Sequence, residues 1–284
     1  MKFLVQILDY LAALYLERRG KFHLENECPI IAAFSFDHIS HQINLKGRYE
    51  AAELSTAFNF LVSRRLLKGV AVDVGANIGN HSLFFSGYFE RVFALEPNPR
   101  VFDLLLFNSK LKENILPLNV GASDSVGLKM LHFEPGNWGA GSIDNTNVSK
   151  HKAVAVNVLK LDEIDGLSDC LVGLLKIDVE GHELAVLRGA ARTLVQSRPV
   201  ILFEQQLSEF YDGSTEVINW LKEHGYEDFY EVLSFPGLPR SWTFPGRKWI
   251  NALMRLFLGE SKRVVPITQF DKVFYPMIIA LPKT

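Results

Sequence analysis

Val70-Ala71-Val72-Asp73-Val74-Gly75-Ala76-Asn77-Ile78-Gly79-Asn80-His81 is the stretch whose reading decides the fold. The first five residues form a short run, apolar except for Asp73 and free of glycine and proline, the pattern of a buried strand. Gly75 then permits a sharp turn, and Gly79 stands where a following helix begins. Outward from this unit the same alternation recurs. Strand-like runs at 91–95, 115–120, 174–179, 199–203, 229–233 and 277–281 are interleaved with helical periodicity at 79–88, 99–112, 183–196 and 215–224. Two further β-like runs, 128–133 and 153–159, flank a Gly- and Asn-rich stretch at 135–147 and read as a hairpin with a long tip. Alternation of this kind implies βαβ crossovers, hence a doubly wound α/β fold: a mostly parallel sheet with helices on both faces. Upstream, residues 1–68 read as a helical N-terminal segment, with helices near 1–20 and 49–67 and a strand-like run at 29–36. Residues 69–284 read as the main domain, with an insertion near 234–273.

The 284 residues are 48% hydrophobic, enough for one sizeable core. A net charge of −2 lacks the basic excess of a nucleic-acid binder and points to small or neutral partners. Cys28 and Cys170, the only two cysteines, are far apart. They make neither a disulfide framework nor a zinc site, and a cytoplasmic, reducing compartment is the default. At the start, Phe3, Leu4, Ile7, Leu8, Leu11, Leu14 and Tyr15 recur at helical spacing. With Asp9 interrupting them and no small-residue cleavage site, they read as an amphipathic helix rather than a signal peptide or membrane span.

In parallel sheets, ligands bind outside the carboxyl ends of the strands. After the first strand, Gly75 lets the backbone approach a ligand, and the helix beyond Gly79 offers free N–H groups to an anion. Asp73 can accept from an ammonium group or orient the loop; an ordinary βα turn is the plainer reading. Glu96, 23 residues beyond Asp73 and followed by Pro97 and Pro99, is placed to accept from ribose hydroxyls, or is simply a helix-start acid. A dinucleotide site needs glycine where Asn77 stands, which argues against a pyrophosphate and leaves room for an adenosine ligand without phosphates. The third strand runs into Gly121-Ala122-Ser123-Asp124, which brackets an adenine ring or is a plain turn. The fourth ends in Lys176-Ile177-Asp178-Val179-Glu180-Gly181-His182-Glu183. Alternation puts Lys176, Asp178 and Glu180 on one face. Glu183 reads as a helix cap, Asp178 as a ligand or catalytic group. The fifth ends in Glu204, which faces a substrate hydroxyl, a metal or a neighbouring lysine.

Together, Asp73 to Gly79, Glu96-Pro97-Asn98, Ala122-Ser123-Asp124, Lys176 to Gly181 with Glu183 and Leu187 to Ala190, Pro199 to Glu204, and the upstream Gly47-Arg48-Tyr49-Glu50 resemble the FkbM-type methyltransferases over about residues 47–226. The resemblance implies a class I methyltransferase fold of seven strands, the last antiparallel, with S-adenosylmethionine as cofactor and O-methylation of sugars or natural-product hydroxyls as the usual reaction. By position, the loop holding Asp73, Gly75, Ala76, Asn77, Gly79 and Asn80 takes the methionine part, Glu96 beside Asn98 the ribose, and Ser123 or Asp124 the adenine side.

O-methylation needs a base for the acceptor hydroxyl. Asp178 is the first choice and Glu204 the second, with Glu180 and His182 as further candidates. Asp178 with Glu204 holding Mg²⁺ is the alternative, although two carboxylates rarely make a dedicated site; no metal ligand is assigned. Two rival functions are a nicotinamide-dependent oxidoreductase and a non-catalytic scaffold that binds S-adenosylmethionine. The region around Trp138 and the insertion at 234–273 are expected to shape the acceptor pocket. Within that insertion, Trp249, Ile250, Leu253, Met254, Leu256 and Phe257 recur at helical spacing beside Arg247, Lys248 and Arg255. The first reading is a helix packed on its own domain or on a second subunit. Peripheral membrane contact, reaching a lipid-linked sugar, is the alternative.

Overall fold

The structure is a computed structural model, and it describes residues 2–35, 37–133, 139, 141–143, 152–238 and 244–283. In chain order the elements are α1 (Lys2–Glu25), α2 (His38–Lys46), α3 (Ala51–Ser63), β1 (Val70–Val74), α4 (Asn80–Phe85), β2 (Val92–Leu95), α5 (Pro99–Ser109), β3 (Ile115–Leu118), β4 (Gly121–Ala122), β5 (Gly127–Phe133) and β6 (Lys152–Leu159). They continue with β7 (Val172–Ile177), α6 (Glu183–Gly189), α7 (Ala191–Ser197), β8 (Val200–Gln205), α8 (Glu216–Glu223), β9 (Tyr226–Phe235), α9 (Arg247–Leu258), β10 (Ser261–Pro266) and β11 (Tyr275–Pro282). The chain divides into two compact units, Met1–Ala51 with Lys68–Pro199, and Ala52–Leu67 with Val200–Thr284. This partition differs from the sequence boundary at 68/69, because the N-terminal 68 residues are shared between the units.

In the first unit four parallel strands lie in the order β7-β1-β2-β3. Every residue of β1, β2 and β7 is buried, as expected of strands covered on both faces. The register sets Asp73 beside Ala94 on one flank and Lys176 on the other, so three strands end level at one edge. The helices start where side chains cap them. Asn98 accepts from the Arg100 N–H with Pro99 in the first turn of α5, and Asp37 accepts from the Ser40 N–H at 2.6 Å to open α2. The expected hairpin is present as β5 and β6, antiparallel, with β4 added parallel to β6 as a separate three-stranded sheet. Leu131, Val156 and Val158 form its core. Most of the tip that includes Trp138 lies outside the described residues; Ser142 bridges back to His132.

The second unit holds α3, α8, α9 and four strands in the order β8-β11-β9-β10. β11 runs antiparallel to both β8 and β9, and β10 antiparallel to β9. Leu54, Phe58 and Leu61 of α3, Ile218 and Leu221 of α8, and Ile278 and Ile279 of β11 are fully buried here. The fold class is thus the expected α/β one. The count of seven main strands is approximate, because the 234–273 insertion supplies β10 as an additional pairing partner for β9.

Three local expectations are corrected. Residues 29–34 are not a strand. A single side chain takes the place of a neighbouring strand: the Asn108 carboxamide accepts from the Ala32 N–H at 2.7 Å and donates to the Ala32 carbonyl at 2.9 Å. The helix read over 183–196 breaks at Ala190 into α6 and α7. The cause is a cap from a distant segment: the Asp162 carboxylate accepts from the N–H groups of Arg192 and Thr193 at 2.8 and 2.9 Å, so α7 starts anew there. Finally, α1 is helical but buries no residue, so its apolar side chains do not form a packed stripe.

Gly189 lets α6 lie against the turn after β4, because a Cβ there would sit 1.9 Å from the Ser123 carbonyl oxygen. Gly189→Ala is expected to destabilise the protein by about 1–3 kcal/mol in chemical denaturation. Gly20→Ala, in exposed α1 with nothing within 4 Å of the added methyl, is expected to be neutral or stabilising by about 0.5–1 kcal/mol. Equal effects from the two would contradict the close approach.

Candidate functional site

The carboxyl ends of β1, β2, β4 and β7 surround a cleft enclosing about 510 Å³, open solvent included. Its walls are Val74, Gly75, Glu96, Pro97, Gly121, Ala122, Leu131, Gly139, Gly141, Ile143, Asp178, Val179, Glu180 and His182. All belong to the first unit.

Charge at the floor is organised by Lys176. Its Nζ lies 3.1 Å from Asp73 Oδ1 and 3.4 Å from Asp178 Oδ2, and it donates to the Gly75 carbonyl at 2.8 Å. Burial pulls the lysine pKa down, but the two carboxylates outweigh it and hold the pKa above its ordinary value. Lys176 is therefore a fixed cation. Asp73 is fully buried, and its other oxygen accepts from the Ser82 hydroxyl at 2.6 Å. Its carboxylate thus faces Lys176 on one side and Ser82 on the other. Lys176 was not among the sequence-picked site residues. Its signal was present in the alternation that puts it on Asp178's face, and the parallel register places it beside Asp73.

The turn after β1 is conformationally demanding. Gly75 has φ +73°, and a Cβ there would fall 1.9 Å from the Asp178 carbonyl oxygen, so β7 and the turn can approach only through glycine. The N–H groups of Gly75 and Ala76 both donate to the Leu95 carbonyl. Asn77 takes the left-handed conformation at φ +51°, and its side-chain oxygen accepts from the Ile78 N–H at 2.8 Å. Its own N–H donates to Glu96 Oε2 at 3.0 Å, while Glu96 Oε1 accepts from the Asn98 N–H at 2.9 Å. One carboxylate thus ties the turns after β1 and β2 together. Burial is the largest influence on Glu96 and pushes its pKa up to about 7, against the opposing pull of the two N–H donors and Lys176.

The remaining sequence-picked residues divide by task. Gly79, at φ +90°, starts α4 close to Leu105. The Asn80 carboxamide makes two 3.1 Å bonds to the backbone of Tyr49, which anchors the Gly47–Glu50 motif. The Asn98 side chain caps α5. Ser123 is buried with its hydroxyl 3.0 Å from His182 Nε2, whereas Asp124 is exposed. His182, one of the further candidate bases, is 3% exposed and lines the cleft. Glu183 accepts from the Gly181 N–H at 3.2 Å, the capping geometry read for it. Glu180 has φ +54° and its carbonyl accepts from the Ser142 hydroxyl at 2.7 Å. Glu204 ends β8 in the second unit, where the Gln206 side chain donates to it. The sequence reading passed over one further pair, His81 Nε2 at 3.2 Å from Glu50 Oε2.

The sequence is similar to those of known proteins. The family profile described as the methyltransferase FkbM domain matches residues 73–227. The chain is 36% identical over 132 residues to the hexuronic acid methyltransferase AglP of Haloferax volcanii, covering 46% of this chain and 53% of that protein. It is 31% identical over 152 residues to methyltransferase sdnD of Sordaria araneosa, covering 42% and 59% respectively. The chain thus spans a little over half the length of these curated relatives. Among solved structures, a methyltransferase FkbM from Methylobacillus flagellatus aligns with a TM-score of 0.34 at 20% identity, covering 66% of this chain and 48% of that one. The profile match runs from the Asp73 turn through Glu96, Lys176 and Asp178 to the end of β8 and beyond, and the chain belongs to the FkbM methyltransferase family.

Proposed function

We propose that this chain transfers a methyl group from S-adenosylmethionine to a hydroxyl oxygen of a sugar or natural product. The observation that carries the reading is the Glu96 clamp. A buried carboxylate lines the cleft while each of its oxygens, bonded once to a backbone N–H, keeps a second lone pair for a ribose hydroxyl. Around it, Pro97, Ala122, Leu131 and Ile143 supply apolar walls suited to an adenine ring. The turn at Asn77 is filled by its own carboxamide, where a pyrophosphate would need bare backbone. The residues present therefore fit an adenosyl group without phosphates, and a nicotinamide dinucleotide fits them poorly.

When bound, the cofactor's sulfonium supplies a methyl group that is already activated. What remains for the chain is alignment, exclusion of water and removal of the acceptor's proton. Asp178 is the proposed proton acceptor: its carboxylate lines the cleft, is 38% exposed, and is oriented from behind by Lys176 at 3.4 Å. That fixed ammonium already provides the positive charge a metal ion would bring, so the proposal is metal-free. A sugar acceptor is supported by the likeness to a hexuronic acid methyltransferase.

Three outcomes are expected. First, Glu96 binds ribose in its ionised form, so S-adenosylhomocysteine affinity measured by calorimetry should rise roughly tenfold between about pH 6 and about pH 8. Glu96→Gln should bind weakly and lose that dependence. The ligand-free protein is expected to show the opposite trend in stability. The unfolded carboxyl titrates near 4.5 and the folded one near 7, so ligand-free stability falls as pH rises through that window. Second, Asp178→Asn should lower turnover of a hexuronate glycoside by about 10²–10⁴-fold while S-adenosylhomocysteine still binds. Unchanged turnover would remove Asp178 as the base. Third, EDTA should leave the rate unaltered; a rate restored only by added Mg²⁺ would overturn the metal-free form.

A further inference from the structure

α9 has its polar side turned inward. Arg247, Asn251 and Arg255 recur every four residues and share one face. Asn251 Oδ1 accepts from the Leu238 N–H at 2.8 Å, Arg247 donates to the Leu238 carbonyl at 3.2 Å, and Arg255 reaches the Pro236 carbonyl at 3.5 Å. These contacts fix the helix by its hydrophilic side. The other side presents Trp249, Leu253, Leu256 and Phe257, 78%, 51%, 77% and 79% exposed. The expectation that this apolar stripe packs on its own domain is therefore corrected: the stripe faces out.

We infer that α9 docks on an anionic lipid surface. The net charge of the segment that carries the stripe selects this occupant. Residues 247–263 carry five basic residues and one acid, Glu260, in a chain whose net charge is −2. Glu260 lies 3.3 Å from Lys262 and 3.8 Å from Arg255, and Glu53 lies 2.8 Å from Lys262; five bases against these two acids leave an excess of three positive charges. A second copy meeting this face about a two-fold axis would set the same excess positive charge against itself, an arrangement that like-charge repulsion disfavours. A lipid surface instead brings the opposite charge. The indole and phenyl rings with their leucine neighbours are suited to the boundary between headgroups and acyl chains. The helix is 12 residues long, about 18 Å at 1.5 Å per residue, so it lies along the interface rather than crossing it.

Co-sedimentation with vesicles tests this. The full chain should sediment at low salt with equimolar phosphatidylglycerol and phosphatidylcholine, and should do so far less with phosphatidylcholine alone. The double variant Trp249→Glu, Phe257→Glu changes only outward side chains and should keep the parental melting temperature. Its vesicle affinity should fall roughly tenfold or more, since each large apolar side chain transferred from water contributes about a tenfold factor or better. Three results would overturn the inference: no sedimentation with the anionic vesicles, equal binding by the double variant, or a dimer in solution that this variant dissociates while no vesicle binding is seen. None of these depends on methyl transfer, so the fate of the docking surface and of the catalytic proposal can be read separately.

Discussion

A buried ammonium holds the site in place. Lys176 reaches from the end of β7 to Asp73 on β1, to the Gly75 carbonyl in the turn, and to Asp178 beyond its own strand. Moving a lysine to so dry a position carries a desolvation penalty of several kcal/mol, which is offset only if its partners stay in register. The parallel pairing of Asp73 with Lys176 meets that condition. The ligand-side geometry follows. The Gly75 carbonyl is fixed, so the turn is fixed; Asn77 then points its N–H at Glu96, and Glu96 draws in the turn after β2. A change to any of these groups is felt by the rest, because the two strand-end turns share one carboxylate and one cation.

Much of this was legible in the sequence, for identifiable reasons. β1 and the glycine turn after it were readable because a short apolar run followed by two glycines has few other conformations. The apolar run 70–74 is β1 to the residue, and most neighbouring elements agree within a few residues. Glu96 was readable because its position depends on chain order in a doubly wound sheet. What was not legible depended on contacts between distant segments. No local pattern announces that Asp162 will begin a helix 30 residues later, or that Asn108 will stand in for a strand beside Ala32. The partner of Asp178 was hidden for a related reason. Alternation placed Lys176 on its face, but only the three-dimensional register shows which carboxylates the ammonium joins.

α9 illustrates a limit of periodicity. A hydrophobic stripe states that a helix has two unlike sides, and the usual assumption is that the apolar one goes inside. Here the Arg247 guanidinium, donating to the Leu238 carbonyl, and the Asn251 carboxamide, accepting from the Leu238 N–H, settle the orientation the other way. Polar anchors four residues apart are as periodic as the leucines and aromatics, and in this helix they are the ones that find partners within the fold.

The Asn108 carboxamide has a last consequence. Besides its two bonds to Ala32, its amide nitrogen donates at 2.8 Å to the Ile78 carbonyl, in the turn that leads into α4. One side chain therefore joins the leading stretch of the polypeptide to the loop beside the cleft. For anyone trimming the protein to a minimal catalytic fragment, the stretch around residue 32 is a structural neighbour of that loop. A fragment starting at β1 would strip the carboxamide of its two bonds to Ala32 and leave the rear of the loop without its backing.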